Sequence, residues 1–532
     1  MKKKILALFC LSLGSLGCSL SPTSQSVSSS RESLSSSKTQ NTLFSSDAPA
    51  PSSSASSPSS SANVSTTSLA TSSRESSGPA PSSSTLTQPQ VTYEEFFDYS
   101  KFGTITIEGS EEAFSFISEY QSDRYGIYND FYVPVDVTIH YNDRYYHYDE
   151  VGLRMKGNTS RKKFFERGSF FDMPHFKLSF KATFDDEVYN DSALRSFKHD
   201  WSDDAAGRKA RKDRNFAGLE KIDLKRVPRN IQGEDACTLR EAYVYDAFRE
   251  QGLEAPRVTF GKVCLDFDGT TTEGDYEFIE PIDKEFLKKR YGKAGAQGDL
   301  YKCVYNKMGK ANFTRDNAID RSTLQPIKNG KIGVEDNYRG YVPSYQKKTN
   351  DSAMQESDFT SMSNFIAKLW QAVYDNAGKE ALESVIDVEQ FLKFSAVSFL
   401  LGNFDDQRYD YNNFYLYFRP EDDKAIILPY DWDWCLGHDL EHHLASLDPL
   451  DSWTLDGDAN SNLYLATLID NESVSYDLSD YQQRYLDHIE KVKDEVLNPQ
   501  KYVDFAAIYG LDDTVETETV LSYMQEKSTH TS

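Results

Sequence analysis

Apolar and polar residues alternate most regularly between positions 133 and 181. Val133, Val135, Val137 and Ile139 share one side of an extended segment, and Asn142-Asp143 supplies a turn. A hairpin is expected there, followed by a strand through Val151, Leu153 and Met155. "PHFKLSFKATF" alternates again, with Phe176, Leu178 and Phe180 on one face and Lys177, Ser179 and Lys181 on the other. "RVTFGKVCLDFDGTTTEGDYEFIEPID" reads as two strands and a turn. Asp266, Asp268 and Glu277 there occupy calcium-loop positions, but Thr271 stands where such a loop needs glycine, which excludes calcium. Between these β segments the period changes. Thr238 with Glu241 forms a capping-box signature, Leu239, Ala242, Tyr243 and Ala247 recur at helical spacing, and Gly252 ends the helix.

The second half is helical. Phe365, Ile366, Leu369, Trp370 and Val373 mark one helix; Asp387, with Gln390 three residues on, caps another that runs through Leu401. A long helix includes Tyr481 to Val496, and the apolar runs "FYLYF" and "AIILPY" lie between as strands. A body that is β-rich first and helix-rich second predicts an α+β fold in two lobes, with any ligand held between them.

The first 90 residues follow neither period. Lys2, Lys3 and Lys4, the apolar run Ile5 to Leu13 and small residues before Cys18 make a secretory leader over residues 1–17. The run is far short of the ~20 residues a spanning helix needs. Ser15-Leu16-Gly17-Cys18 resembles a bacterial lipobox, so Cys18 is the expected lipidation site. Residues 18–90 are dominated by Ser, with Thr, Pro and Ala, and read as a disordered tether between membrane and body. Without the three leader lysines the net charge moves from −25 to −28, and all of the excess lies in the body. This argues against nucleic acid or an anionic membrane surface as a partner. Cys237, Cys264, Cys303 and Cys435 show no C-x-x-C spacing, so a structural zinc site is not expected; they can pair in three ways or remain buried thiols.

The chemistry gathers at strand ends. In "IILPYDWDWCLG" a buried strand delivers Asp431 and Asp433 among Tyr430, Trp432 and Trp434, and carboxylates carried out of an interior need a cation, a donor or solvent. Arg154, Lys156, Gly157, Asn158, Thr159 and Ser160 follow the first hairpin, and Lys177 projects from a later strand. Asp405, Asp406, Arg408, Asn412 and Asn413 sit between a helix and "FYLYF". Phosphoryl transfer uses such a set: cations or backbone donors hold phosphates, carboxylate and amide oxygens hold Mg²⁺, and one carboxylate orients the attacking hydroxyl.

In this context "VGLRMKGNTS", "FKLSF", "LREAYVYDAFREQGLEAPR", "GDYEFIEPID", "GDLYK", "GNFDDQRYDYNNFYLY" and "PYDWD" appear in order, and together they resemble the CotH kinase family, the spore-coat CotH proteins and their relatives. The resemblance implies a two-lobed atypical protein-kinase-like fold over residues 91–524, with an N-lobe to about 280 and a C-lobe from about 281. It implies ATP- and Mg²⁺-dependent phosphorylation of protein Ser/Thr side chains. Asp405 would orient the acceptor hydroxyl; Asn413, Asp431 and Asp433 would hold Mg²⁺. Lys177 would hold the α/β-phosphates, helped by Arg154 and the Gly157-Asn158 backbone. Glu280 would lie near the adenine where the lobes join, and Glu241 is a candidate partner for a kinase-type Lys–Glu pair. Asn412 departs from a His common in relatives, the Asp405–Asn413 spacing exceeds that of ordinary kinases, and no G-x-G-x-x-G loop is present. Asp406 beside Asp405 leaves the choice of base open.

Two other functions compete. A surface binding or adhesion protein on the same scaffold would not need the Asp/Asn/Lys set. A zinc hydrolase would use His438 and His442 in "CLGHDLEHH", which also reads as a polar surface helix. The expected setting is export and lipid anchoring on the outer face of a bacterial membrane, with a Ser/Thr-bearing protein, including the chain's own tether, as acceptor.

Overall fold

The computed structural model describes residues 89–124, 126–227, 239–304, 311–313, 345–350, 359–374, 378–408, 411–438, 444–450, 468–469 and 476–531. Contacts divide the chain into Met1–Ser84 and Thr85–Ser532; the description concerns the second unit. The leader, Cys18, most of the tether, Cys237, Thr238 and His442 lie outside the described residues. No helix among those described is long and apolar enough to cross a membrane.

The β-rich half is a closed barrel, a feature the strand pattern alone did not predict. Its strands are β1 (Gly103–Glu108), β2 (Val133–Tyr141), β3 (Arg144–Met155), β6 (Phe176–Ser179), β7 (Lys221–Val227), β8 (Val258–Phe267) and β9 (Thr270–Ile279). They are joined in the order β1-β2-β3-β6-β7-β9-β8. The two-residue strands β4 (Phe165–Glu166) and β5 (Ser169–Phe170) form a separate ribbon. Closure comes from β1, which pairs antiparallel with β2 and parallel with β8. Alternation then sends one side chain in two inward. Ile105, Ile107, Val137, Ile139, Leu153, Phe176, Leu178, Ile222 and Leu224 are fully buried in one core.

The β2–β3 turn places Asn142 and Asp143 at φ 50° and 58°, a left-handed pair that these two residue types tolerate. The expected separate strand through Val151 is instead the second part of β3. A register shift at Val135/Val137 and the positive φ of Glu150 absorb one extra residue, and the Glu150 amide donates to Asp136 at 2.9 Å.

A second antiparallel sheet has the order β11-β10-β12-β13, from β10 (Asp299–Cys303), β11 (Tyr345–Lys347), β12 (Phe414–Phe418) and β13 (Ala425–Pro429). β12 and β13 are buried on both faces, which is why they read as unbroken apolar runs. Tyr301, Cys303, Phe414, Leu416 and Ile427 join the core of the helices Arg240–Glu250, Thr360–Tyr374, Val388–Leu401 and Ser479–Val496. Leu300, Tyr415, Tyr417, Ile426 and Leu428 pack instead with Phe286 and Leu287 of the helix Lys284–Gly295. The Val388–Leu401 helix is capped as expected, Asp387 accepting from the Gln390 amide at 3.1 Å, and Gly402 at φ 60° ends it. Helices Pro499–Ile508 and Val515–Thr531 complete the chain.

Truncating the barrel core is expected to be costly and truncating an exposed ring is not. Leu178→Ala should lower unfolding stability by about 2–5 kcal/mol. Phe171→Ala, at a position 59% exposed, should stay within about 0.5 kcal/mol. Urea unfolding of the two variants measures the contrast.

Candidate active site

Strand alternation that buries Ile222 and Leu224 turns Asp223 and Lys225 to the barrel's outer face. Register sets Arg154 beside Lys177, Lys177 beside Asp223, and Lys225 beside Glu277. Where this face meets the end of β13, one ammonium organises the site. Lys225 Nζ donates to Glu241 Oε2 at 2.5 Å, Asp431 Oδ1 at 2.8 Å and Asp433 Oδ2 at 2.9 Å.

Glu241 stands in the first turn of the Arg240–Glu250 helix. It is not the reciprocal partner of a cap: Leu239 occupies the N-cap position without a side-chain bond, and the Glu241 carboxylate turns inward. One helical turn on, the Tyr245 hydroxyl donates to Glu241 Oε1 at 2.6 Å and accepts from the Asp431 amide at 2.9 Å. Asp431 itself sits at φ 59°.

Four carboxyls thus surround one lysine. Burial pushes the Asp433 carboxyl up to about 6, against the pull of Lys225 and with the help of Asp431 and Glu241. Burial and Glu241 likewise push Glu277 well above the carboxylate range. For Asp431 burial is outweighed by Lys225 and Lys156, which hold it well below that range. The cluster has more carboxyl than cation, and a divalent ion would relieve it. Among the described residues no three His, Cys, Asp or Glu side chains form a metal cage by themselves. Mg²⁺ needs only one or two carboxylates and keeps its waters, and Asp431 is 37% exposed. The donor chemistry of Asp431 and Asp433 therefore fits Mg²⁺.

The loop before β12 holds the other acids. Asp405 accepts from Asn412 Nδ2 at 2.9 Å and from Asn413 Nδ2 at 2.8 Å, and its amide donates to Asn403 Oδ1 at 2.9 Å. Asp406 is fully buried on Arg408 Nε and Ser398 Oγ, each at 2.9 Å, a structural tie. Of the two adjacent acids, Asp405 is the partly exposed one. Phe414 pairs with Pro429, so Asn413 precedes one strand of this hairpin at the end where Tyr430 and Asp431 leave the other.

Other expected site residues are placed differently. Lys177 contacts neither Glu241 nor the two metal-side aspartates; it pairs with Asp223 at 2.9 Å, which Lys156 also approaches at 3.5 Å. The lysine with the glutamate partner is Lys225, which the sequence reading missed although "KIDLKRV" alternates just as "FKLSF" does. Arg154 donates to the carbonyls of Asn129 at 3.0 Å and Met155 at 3.3 Å, with Asp130 at 3.5 Å, a brace for the barrel wall. Glu280, expected near a nucleotide base, braces the junction between β9 and the Lys284–Gly295 helix. Its carboxylate is held by Arg290 at 2.7 and 3.1 Å, and its amide donates to Arg257 O. His438 faces Arg240 at 3.3 Å and packs on Trp434. Cys264 and Cys303 are free thiols, and Cys435 donates to the Trp432 carbonyl at 3.1 Å. A mostly apolar cavity of about 250 Å³, lined by Phe102, Val227, Leu239, Phe260 and Tyr509, contains none of the clustered acids.

The order of these elements matches a known family, described as CotH kinase protein, over residues 166–507. The chain belongs to the CotH kinase family. The matched span carries Lys177, Lys225, Glu241, Asp405, Asn413, Asp431 and Asp433 of this CotH family member, while Arg154 and Lys156 precede it. Comparison with curated proteins gives no match.

Two stability effects follow. Lys225→Met removes the cation shared by Glu241, Asp431 and Asp433 and should cost about 3 kcal/mol in urea unfolding. Burial disfavours ionised Asp223, but Lys177 and Lys156 outweigh it and hold the carboxyl at about 2. The folded carboxyl is thus the stronger acid. Its stabilisation, roughly 2 kcal/mol, is present above pH 4 and fades as the pH falls towards 2. Asp223→Asn should remove this part of the acid limb in unfolding measured from pH 2 to 6.

Proposed function

We propose that this CotH family member is a kinase that uses ATP and Mg²⁺ to phosphorylate Ser/Thr side chains of proteins. The observation that carries the reading is Lys225, held between Glu241 on a helix and Asp431 and Asp433 after a strand. Protein kinases require this pairing of a strand lysine with a helix glutamate, next to an aspartate that takes the metal. On this reading the barrel and the helical half correspond to the two lobes of a kinase-like fold.

Asp431 and Asp433, with Asn413, would hold Mg²⁺, whose charge would offset that of the phosphates. Lys225 would then turn part of its donor capacity from the aspartates to the phosphates, with Glu241 and Tyr245 keeping it in place. Asp405, oriented by Asn412 and Asn413, would accept the proton of the acceptor hydroxyl. That oxygen bonds to the γ-phosphorus as the bond to the β-phosphate oxygen breaks, and ADP leaves.

The chain's leader and Cys18 support a lipid-anchored protein on the outer face of a bacterial membrane. Its Ser-rich tether, residues 18–90, is an acceptor segment held at high effective concentration. Phosphorylation would add charge and extend it.

Intact-mass measurement after incubation with Mg²⁺ and ATP tests this. The wild type should gain phosphoryl increments and Asp431→Ala none. Asp405→Asn should lower kcat by about 10²–10⁴ with little change in KM. A wild type that gains no mass, alone or with a Ser-rich peptide, would leave a binding scaffold in place of an enzyme.

A further inference from the structure

A row of lysines next to the acids has no described use. Lys302 lies on β10 opposite Tyr415 of β12, on the sheet face that carries Leu300 and Leu428. Its ammonium stands 4.1 Å from the centre of the Tyr430 ring, and Lys156, arriving from the barrel, stands 5.4 Å from the centre of the same ring. Tyr430 immediately precedes Asp431, so both cations border the acid cluster. Lys348, one residue beyond β11, is anchored by its amide to Leu300 O at 2.8 Å, which sets it on the same sheet face as Leu300 and Lys302.

Neither Lys302 nor Lys348 forms an ion pair among the described residues, unlike Lys177, Lys156 and Lys225, which have carboxylates within 4 Å. Their charges press on one another. Burial, then Lys348 and Lys156, bring the Lys302 ammonium down to about 7, with Asp431 and Asp223 opposing. Lys348 is also lowered, by burial and by Arg154, Lys177 and Lys221, with Asp130 opposing. Crowded cations without partners are costly unless an anion is to lie among them. Here the cations come from both sides of a seam that ends at two metal-binding candidates. A lone phosphate or carboxylate would engage one side; a polyphosphate chain reaches both.

We propose that Lys302 and Lys348, with Lys156 facing them, form a two-sided lysine cradle for the phosphate chain of a nucleoside triphosphate. The assignment rests on the kinase reading for its ligand, and it supplies the phosphate grip that the missing glycine-rich loop would otherwise give. Lys302 and Lys348 bind the chain from the second sheet and Lys156 binds it from the barrel, so nucleotide binding draws the two sheets together.

Calorimetric titration of the full chain with MgATP, adenosine and inorganic tripolyphosphate tests the cradle, using Lys302→Met, Lys348→Met, the double variant and Lys302→Arg. Each Met substitution should weaken MgATP and tripolyphosphate about tenfold and leave adenosine unchanged. Lys302→Arg, which keeps the charge, should stay close to wild type. Relief of repulsion should hold or raise the urea midpoint of the Met variants, which separates lost binding from lost folding. Unchanged tripolyphosphate and MgATP affinity in the double variant would overturn the cradle, as would a wild type that binds no tripolyphosphate. If tripolyphosphate binding depends on these lysines but no phosphoryl group is transferred, the cradle stands and the kinase reading falls. If transfer proceeds and the double variant has an unaltered KM for ATP, the reverse holds.

Discussion

The site depends on a single ammonium held by three carboxylates. Lys225 belongs to a barrel strand, Glu241 to a helix, and Asp431 and Asp433 to the segment after β13. A carboxylate at such a depth is tolerable only with a cation beside it, and a buried lysine only with its counter-charges. Each group therefore makes the position of the others affordable. The excess of carboxyl over cation at one end of the seam, and of cation over carboxyl at the other, gives the site two electrostatic poles. A metal–polyphosphate complex has the complementary polarity, its cation matching the acid pole and its anionic oxygens the lysine pole.

The legible part of the fold is the part with one buried face. β2, β3, β6, β8 and β9 alternate because one row of side chains fills the barrel and the next faces outward. β12 and β13 lose that alternation because both faces are covered, and only their apolar length betrays them. Barrel closure leaves no local mark at all. It joins residues 103–108 to residues 261–266 in parallel, a pairing that no short window contains.

The site was legible unevenly for related reasons. Asp405, Asn413, Asp431 and Asp433 lie at the ends of one hairpin's strands, so chain order already brings them near each other. Lys225 and Glu241 are drawn together from a barrel strand and a helix outside it, a pairing no short window contains. The cap signature at Thr238 and Glu241 falls partly outside the described residues, and the Glu241 carboxylate is held by Lys225 and Tyr245. Arg154 and Glu280 have partners that no local pattern announces: Arg154 holds backbone carbonyls and Glu280 holds Arg290.

The Tyr245 hydroxyl, bonded at once to Glu241 and to the Asp431 amide, has a mechanical consequence. It rivets the helix to the aspartate-bearing loop, so neither can swing aside while the other stays. Switching by displacement of that helix alone, with the loop left as a fixed platform, is closed to this molecule. Any displacement of the helix must carry both pieces together or break the phenol's two bonds first.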